Sequence, residues 1–154
     1  MSLLLDTSVV SELRKGYQAD PRLLTWFHGI DDRDIHLSVL VLGEIRRAAE
    51  GLRDPARAAL ESWLGRLSAV HADRILPVDG RVADHWGRLL HIRSGPVVDT
   101  LMAATALVHG LVLVTRNVKD VAWTGVLYLD PFAPAPPASA ARKARVRTSW
   151  SRDQ

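Results

Sequence analysis

Four carboxylates and one amide stand where this chain could do chemistry. Asp6 ends the apolar run Ser2-Leu3-Leu4-Leu5, and Asn117 and Asp120 follow the apolar run Leu111-Val112-Leu113-Val114. Glu44 lies between Leu42 and Ile45 in a segment, Val39 to Gly51, that starts apolar. Asp99 is the one charge fixed at neutral pH between Val97 and His109. A buried carboxylate is costly unless it is paired or holds a cation. A ligand set made only of oxygens selects hard cations, Mg²⁺ or Mn²⁺. Those ions offset charge on phosphorus and activate water, so the residues point to a metal-dependent phosphodiesterase. The plain alternative is that each acid serves structure singly. Asp6 would cap a helix or turn the chain, Asp99 would gain from a helix dipole, Asp120 would be a loop acid and Asn117 a turn residue. Glu44, flanked by apolar residues, is the hardest to explain that way.

The elements that must position these residues follow from periodicity. The run at Ser2–Leu5 reads as a strand, and Val9 to Lys15 as a helix that Ser8 caps. Asp20-Pro21 starts a second helix. Ile35-His36-Leu37 is a short strand, with Ser38 capping a helix that runs from Val39 to a stop at Gly51. Its start is apolar nearly all round, which predicts burial. Asp54-Pro55 opens a long helix to about His71, where Leu60, Trp63, Leu64 and Leu67 recur at i, i+3, i+4, i+7. Arg74 to Val78 is a third strand, at or near an edge because Pro77 cannot donate to a ladder. Asp79 caps the next helix, Gly95-Pro96 breaks it, and a further helix runs from Val97 to His109, closed by Gly110. The Leu111–Val114 run is continuously apolar, as parallel strands are, and Val126 to Leu129 is the last strand. Strands alternating with helices over short connections predict an α/β fold, a mainly parallel sheet with helices on both faces. In such sheets ligands sit at the carboxyl ends of the strands, which is where Asp6 falls.

Other chemistries find little support. There is no Gly-rich phosphate loop. Asp6-Thr7-Ser8 lacks the second acid two residues on that an aspartyl-phosphate phosphatase uses. The six histidines show no metal spacing, and no Ser-His-Asp arrangement is apparent. Absence of cysteine excludes disulfides and thiolate metal sites. No signal peptide and no apolar stretch near the roughly 20 residues of a membrane helix is present, so a cytoplasmic protein is expected. A hydrophobic content of 47% in 154 residues supports one substantial core. The pI near 9.8 has a local source. Residues 133–154 carry Arg142, Lys143, Arg145, Arg147 and Arg152 against Asp153, a net +4 in a chain of +3, which leaves residues 1–132 near −1. Basicity alone therefore does not make the domain a polyanion binder.

Taken together these stretches resemble the PIN-domain ribonucleases, specifically VapC-type toxins of bacterial toxin–antitoxin pairs in the FitB-like branch. The resemblance rests on Leu5 to Lys15, Leu37-Ser38-Val39 through Leu42-Gly43-Glu44-Ile45-Arg46-Arg47, Arg74 to Asp79, Val98-Asp99 through Ala103-Ala104-Thr105-Ala106, and Leu113 to Asp120, in family order. It implies a three-layer α/β/α fold with a mainly parallel central sheet over residues 1–132; the basic Pro/Ala/Arg-rich stretch 133–154 is no part of the match, and its composition predicts a flexible tail. It implies that Asp6, Glu44, Asp99 and Asp120 bind Mg²⁺ (or Mn²⁺) and carry catalysis, with Asn117 in the ligand or water shell and Thr7 and Thr115 orienting carboxylates. It further implies RNA as substrate, a homodimer and a VapB-like antitoxin as partner. The connection His91 to Pro96 is shorter than in relatives, which tests where Asp99 falls.

Arg14, Lys15, Arg46, Arg47, Arg116 and Lys119 lie near these acids in sequence and are candidates to grip phosphates beside the scissile bond. The arginines of the tail would add non-specific RNA affinity. Trp26, Trp63, Trp86 and Trp123 read as core or interface residues, and apolar surface on the first helices would suit a partner helix. Two rival readings remain open at this point: a catalytically inactive PIN-like RNA- or partner-binding module, separated by metal-dependent cleavage that a chelator stops, and a nuclease acting on structured DNA ends, separated by paired RNA and DNA substrates.

Overall fold

The computed structural model describes residues 1–134. The tail from residue 135, with its arginines, lies outside the described residues. Five strands form one sheet in the order β3-β2-β1-β4-β5, and every pairing is parallel. They are β1 (Leu3–Leu5), β2 (Ile35–Ser38), β3 (Ile75–Leu76), β4 (Val112–Val114) and β5 (Tyr128–Leu129). Seven helices connect them: α1 (Thr7–Leu13), α2 (Pro21–Phe27), α3 (Val39–Glu50), α4 (Ala56–Val70), α5 (Gly80–Ile92), α6 (Val97–His109) and α7 (Val118–Val121). This is the α/β fold that the alternation predicts. Helices α1 to α4 pack as one group and α5 to α7 as another, with no substantial contact between the two groups. Leu3, Leu4, Leu37, Leu113 and Val114 of the strands are almost fully buried at the centre of the main core, as strands covered on both faces must be.

The order of the strands decides where a site can form. The chain adds β2 and β3 on one side of β1, then returns to place β4 and β5 on the other. The strand order therefore reverses between β1 and β4, the kind of switch point beyond whose carboxyl ends parallel sheets bind ligands. Leu5 pairs with Val114 at the last register position. One residue further on, the Asp6 N–H donates to the Val114 carbonyl at 2.9 Å, so the acid is fixed at that reversal.

Several local expectations hold in detail. The Ser38 hydroxyl accepts the Leu40 N–H at 3.1 Å, and Asp20 and Asp79 accept from the first turns of α2 and α5. Gly110 ends α6 with φ +64°, a conformation costly for other residues. β3 is an edge strand, two residues long, as Pro77 requires. Three expectations are corrected. Ser8 does not cap α1: it lies inside the helix and its hydroxyl donates to Asp6 Oδ2 at 2.9 Å. The start of α3 is not buried all round, because Val39 is 38% exposed and Gly43 faces solvent, while Val41, Ile45 and Ala49 carry its core contacts. Strands β3 and β5 are each two residues long, shorter than the expected Arg74–Val78 and Val126–Leu129, whereas Gly51 stops α3 as expected.

Candidate functional site

Asp6 is buried, with 5% of its surface exposed. Its backbone starts α1 by accepting from Val9 and Val10, but its side chain makes no cap bond. Both hydroxyl donors fall on one oxygen instead: Thr115 Oγ1 at 2.8 Å and Ser8 Oγ at 2.9 Å, each to Oδ2. Oδ1 has no protein donor among the described residues. Thr115 is itself 1% exposed and accepts the Asn117 N–H at 3.0 Å, so the turn after β4 and the acid after β1 lock each other. Capping alone does not account for this arrangement.

Glu44 is half-buried on α3, and Thr7 Oγ1 donates to its Oε1 at 2.5 Å. Thr7 adjoins Asp6 in sequence, so that bond ties the Glu44 carboxylate to the start of α1. Asp99 lies in the first turn of α6, where the helix dipole favours an anion. Its carboxyl nevertheless titrates above the ordinary value of 3.8, first because burial desolvates it and then because the charges of Asp6, Asp120 and Glu44 oppose its own. An Asn117 amide N–H at 3.5 Å works in the opposite sense. Asp120, on α7, is half-buried. The charges of Asp6, Asp120 and Glu44 thus all bear on Asp99, and among the described residues none of the four acids forms an ion pair. They share a charge field without being drawn to a common point: among the described residues, no three acid or histidine side chains stand close enough to enclose one ion. The threonine and serine hydroxyls hold Asp6 and Glu44 in place.

The short connection before Asp99 is packed rather than loose. Arg93 lies 5.6 Å from the Trp123 ring centroid, and a Cβ at Gly95 would come within 3.0 Å of both the indole and Thr100 Oγ1. Trp123 Nε1 donates to the Asp120 carbonyl at 2.9 Å. One indole therefore joins the approach to Asp99 and the helix of Asp120.

The basic candidates divide. Lys15 pairs with Glu12 at 2.6 Å and Arg46 with Glu61 at 2.8 Å. Arg116 stacks 3.8 Å from the Phe132 ring centroid and reaches Glu12 at 4.0 Å. Arg14 lies 5.6 Å from the Trp63 ring centroid. Arg14, Arg47 and Lys119 are exposed and form no ion pair among the described residues. Sequence reading missed Glu12. It accepts from the Asp20 N–H and from Lys15 and faces Arg116, and these cations, Lys15 foremost, hold its carboxyl below the usual range. No local spacing signals a contact between Glu12 and Arg116, which are brought together only by the β1–β4 pairing.

Fold and site together define an α/β protein with a buried, hydroxyl-held carboxylate, Asp6, at the switch point of a parallel sheet. The chain belongs to the PIN-domain family, whose model, described as "PIN domain", matches residues 3–119. It is 30% identical to a VapC ribonuclease of Sinorhizobium fredii, over 86% of this chain and 99% of that protein. It is 28% identical to Toxin FitB of Neisseria gonorrhoeae, over 84% and 98%. The crystal structure of FitAcB from Neisseria gonorrhoeae superposes with a TM-score of 0.77 at 27% identity, covering 86% of this chain and 99% of that one. Among the described residues no helix is long and apolar enough to cross a membrane.

Proposed function

We propose that this chain is a metal-dependent endoribonuclease, the toxin of a type II toxin–antitoxin pair, with a VapB-like antitoxin as partner. The observation that carries the reading is the buried Asp6 at the β1–β4 switch point, held by Thr115 and Ser8 through Oδ2 alone, with the charges of Asp6, Glu44 and Asp120 bearing on Asp99. Family membership and the ribonuclease and toxin relatives support it. The donor chemistry suits a hard divalent cation, Mg²⁺ or Mn²⁺, which would have to draw the separated carboxylates together: the donor set is oxygen only, no protein cation neutralises it among the described residues, and Asp6 Oδ1 is left without a protein donor. When bound, such an ion supplies charge for a phosphodiester oxygen and makes water nucleophilic near neutral pH. The chain's own residues hold and aim the carboxylates. Thr115 and Ser8 fix Asp6 by Oδ2, Thr7 fixes Glu44, and Asn117 steadies Asp99. Arg14, Arg47 and Lys119, exposed and without an ion pair among the described residues, are the cations free to meet flanking phosphates. Residues 1–132 constitute the nuclease domain, with 133–154 as an appended basic tail, and the protein works as a cytoplasmic homodimer.

The test is cleavage of RNA by the purified chain with Mg²⁺ or Mn²⁺, with and without chelator. Cutting that stops on chelation, and that Asp6→Asn abolishes together with growth arrest on expression, is expected. Cutting in chelator, or an Asp6→Asn protein as toxic as the original, contradicts the reading.

A further inference from the structure

Beside Glu44, away from Asp99 and Asp120, the surface opens into a cavity of about 190 Å³. Thr7 and Glu44 form part of its wall, joined by their 2.5 Å hydrogen bond. The half-buried indole of Trp63, the exposed guanidinium of Arg14 and the hydroxyl of Ser11 form other parts, and the exposed side chain of Ala48 also lines it. Cavities of about 150 Å³ take up benzene, so this one has room for a single planar ring system. An aromatic face is what every nucleobase stacks on. Ser11 makes no side-chain hydrogen bond among the described residues, so its hydroxyl can both donate and accept at a base edge. Arg14 has no carboxylate partner among the described residues, and its guanidinium lies over one face of the Trp63 ring, 5.6 Å from the centroid, so a base would stack on the remaining indole surface with that charge beside it for a phosphate.

From these features we propose that the cavity is a nucleobase subsite, holding the base of a nucleotide next to the scissile phosphate and giving cleavage its sequence preference. The inference rests on the ribonuclease reading above. It commits to RNA rather than to a partner's side chain because the wall of the cavity is the Thr7–Glu44 pair itself. A group held there is tied to the acids that would meet the phosphate. An apolar side chain would leave the Ser11 hydroxyl and the Arg14 charge unused.

The experiment digests a random-sequence single-stranded RNA library with the full chain in Mg²⁺ and sequences the fragment ends. Wild type is expected to favour particular bases at one fixed position beside the cut. Ala48→Phe fills the cavity from an exposed position, and Trp63→Leu removes the aromatic face; both flatten that preference and lower kcat/KM about tenfold to a hundredfold. Trp63→Phe retains it. Mn²⁺ affinity, followed by calorimetry, stays within about twofold in Ala48→Phe, which separates a lost base contact from a damaged acid cluster. An unchanged preference in Ala48→Phe overturns the inference, as does cleavage by wild type without base preference. Should Ala48→Phe cut like wild type but fail to co-purify with a co-expressed partner protein, the cavity docks protein and the inference is overturned. Absence of any RNA cleavage by wild type would overturn the ribonuclease reading itself, and this inference with it.

Discussion

Replacing Thr115 by Val isolates the bond that holds Asp6. Valine keeps the shape of the buried side chain and removes the hydroxyl that donates to Asp6 Oδ2 at 2.8 Å. A hydrogen bond to a charged group is worth about 1.5–3 kcal/mol, and here the acceptor is 5% exposed, so the upper half of that range applies. The same hydroxyl accepts the Asn117 N–H, but Asn117 is exposed and water can replace that partner at little cost. The expected loss is therefore about 2–3 kcal/mol. For a domain of about 130 residues the unfolding entropy makes each kcal/mol worth roughly 3–4 °C, so Tm should fall by about 8 °C. Thermal denaturation followed by circular dichroism in metal-free buffer reads this directly. Thr115→Ser, which keeps the donor, should recover most of the loss. A Thr115→Val protein melting within about 2 °C of wild type, by the same conversion, would refute the claim that this hydroxyl secures a buried carboxylate.

Three further outcomes follow from the same geometry. Asp99 binds its proton more tightly in the folded chain than its ordinary value of 3.8 implies, so deprotonation opposes folding and stability falls as pH rises through the raised value. Asp99→Asn should therefore unfold at higher urea than wild type at neutral pH without metal. The difference should vanish below the ordinary value, and a variant less stable at neutral pH would contradict the sign. Leu4→Ala, at a position with no exposed surface in the central strand, should cost about 3–5 kcal/mol and lower the urea midpoint with m unchanged; a loss under about 1 kcal/mol would mean that β1 is not central to the core. Gly110→Ala, forced to φ +64°, should cost about 1–2 kcal/mol, and an unchanged melting curve would show that the turn re-forms another way.

Much of this architecture is legible from local signals because those signals act locally. Capping serines and aspartates, a glycine in a left-handed turn and a proline at an edge each work within a few residues. Asp6 could be singled out because a parallel strand ending in an acid is itself a local pattern. Strand lengths were overdrawn at Arg74–Val78 and Val126–Leu129, since a ladder extends only where a neighbour offers partners, and β3 and β5 stand at the edges. The burial of α3 was overdrawn for a related reason. An apolar start shows that a helix can be buried, not which faces the neighbours cover, and Val39 and Gly43 stay exposed. Thr7 with Glu44 and Thr115 with Asp6 pair across 37 and 109 residues, so no spacing rule finds them. The resemblance supplied them as orienting residues, while the direction of each bond came from the fold. Ser8 as a second donor to Asp6, Glu12 as an anchor for Arg116, and Trp123 as the strut between Arg93 and Asp120 were not foreseen. Each depends on elements that meet only after the sheet reverses.

That the four acids make one cation site is tested most directly by titrating the metal-free chain with Mn²⁺ and following Tm. At a hundred times the dissociation constant, a ligand of the folded state alone contributes about 2.7 kcal/mol, which here means a rise of roughly 9 °C. Asp6→Asn, Glu44→Gln and Asp99→Asn should each remove most of that rise. A rise that survives in all three variants, or its absence in wild type at millimolar Mn²⁺, would contradict the account.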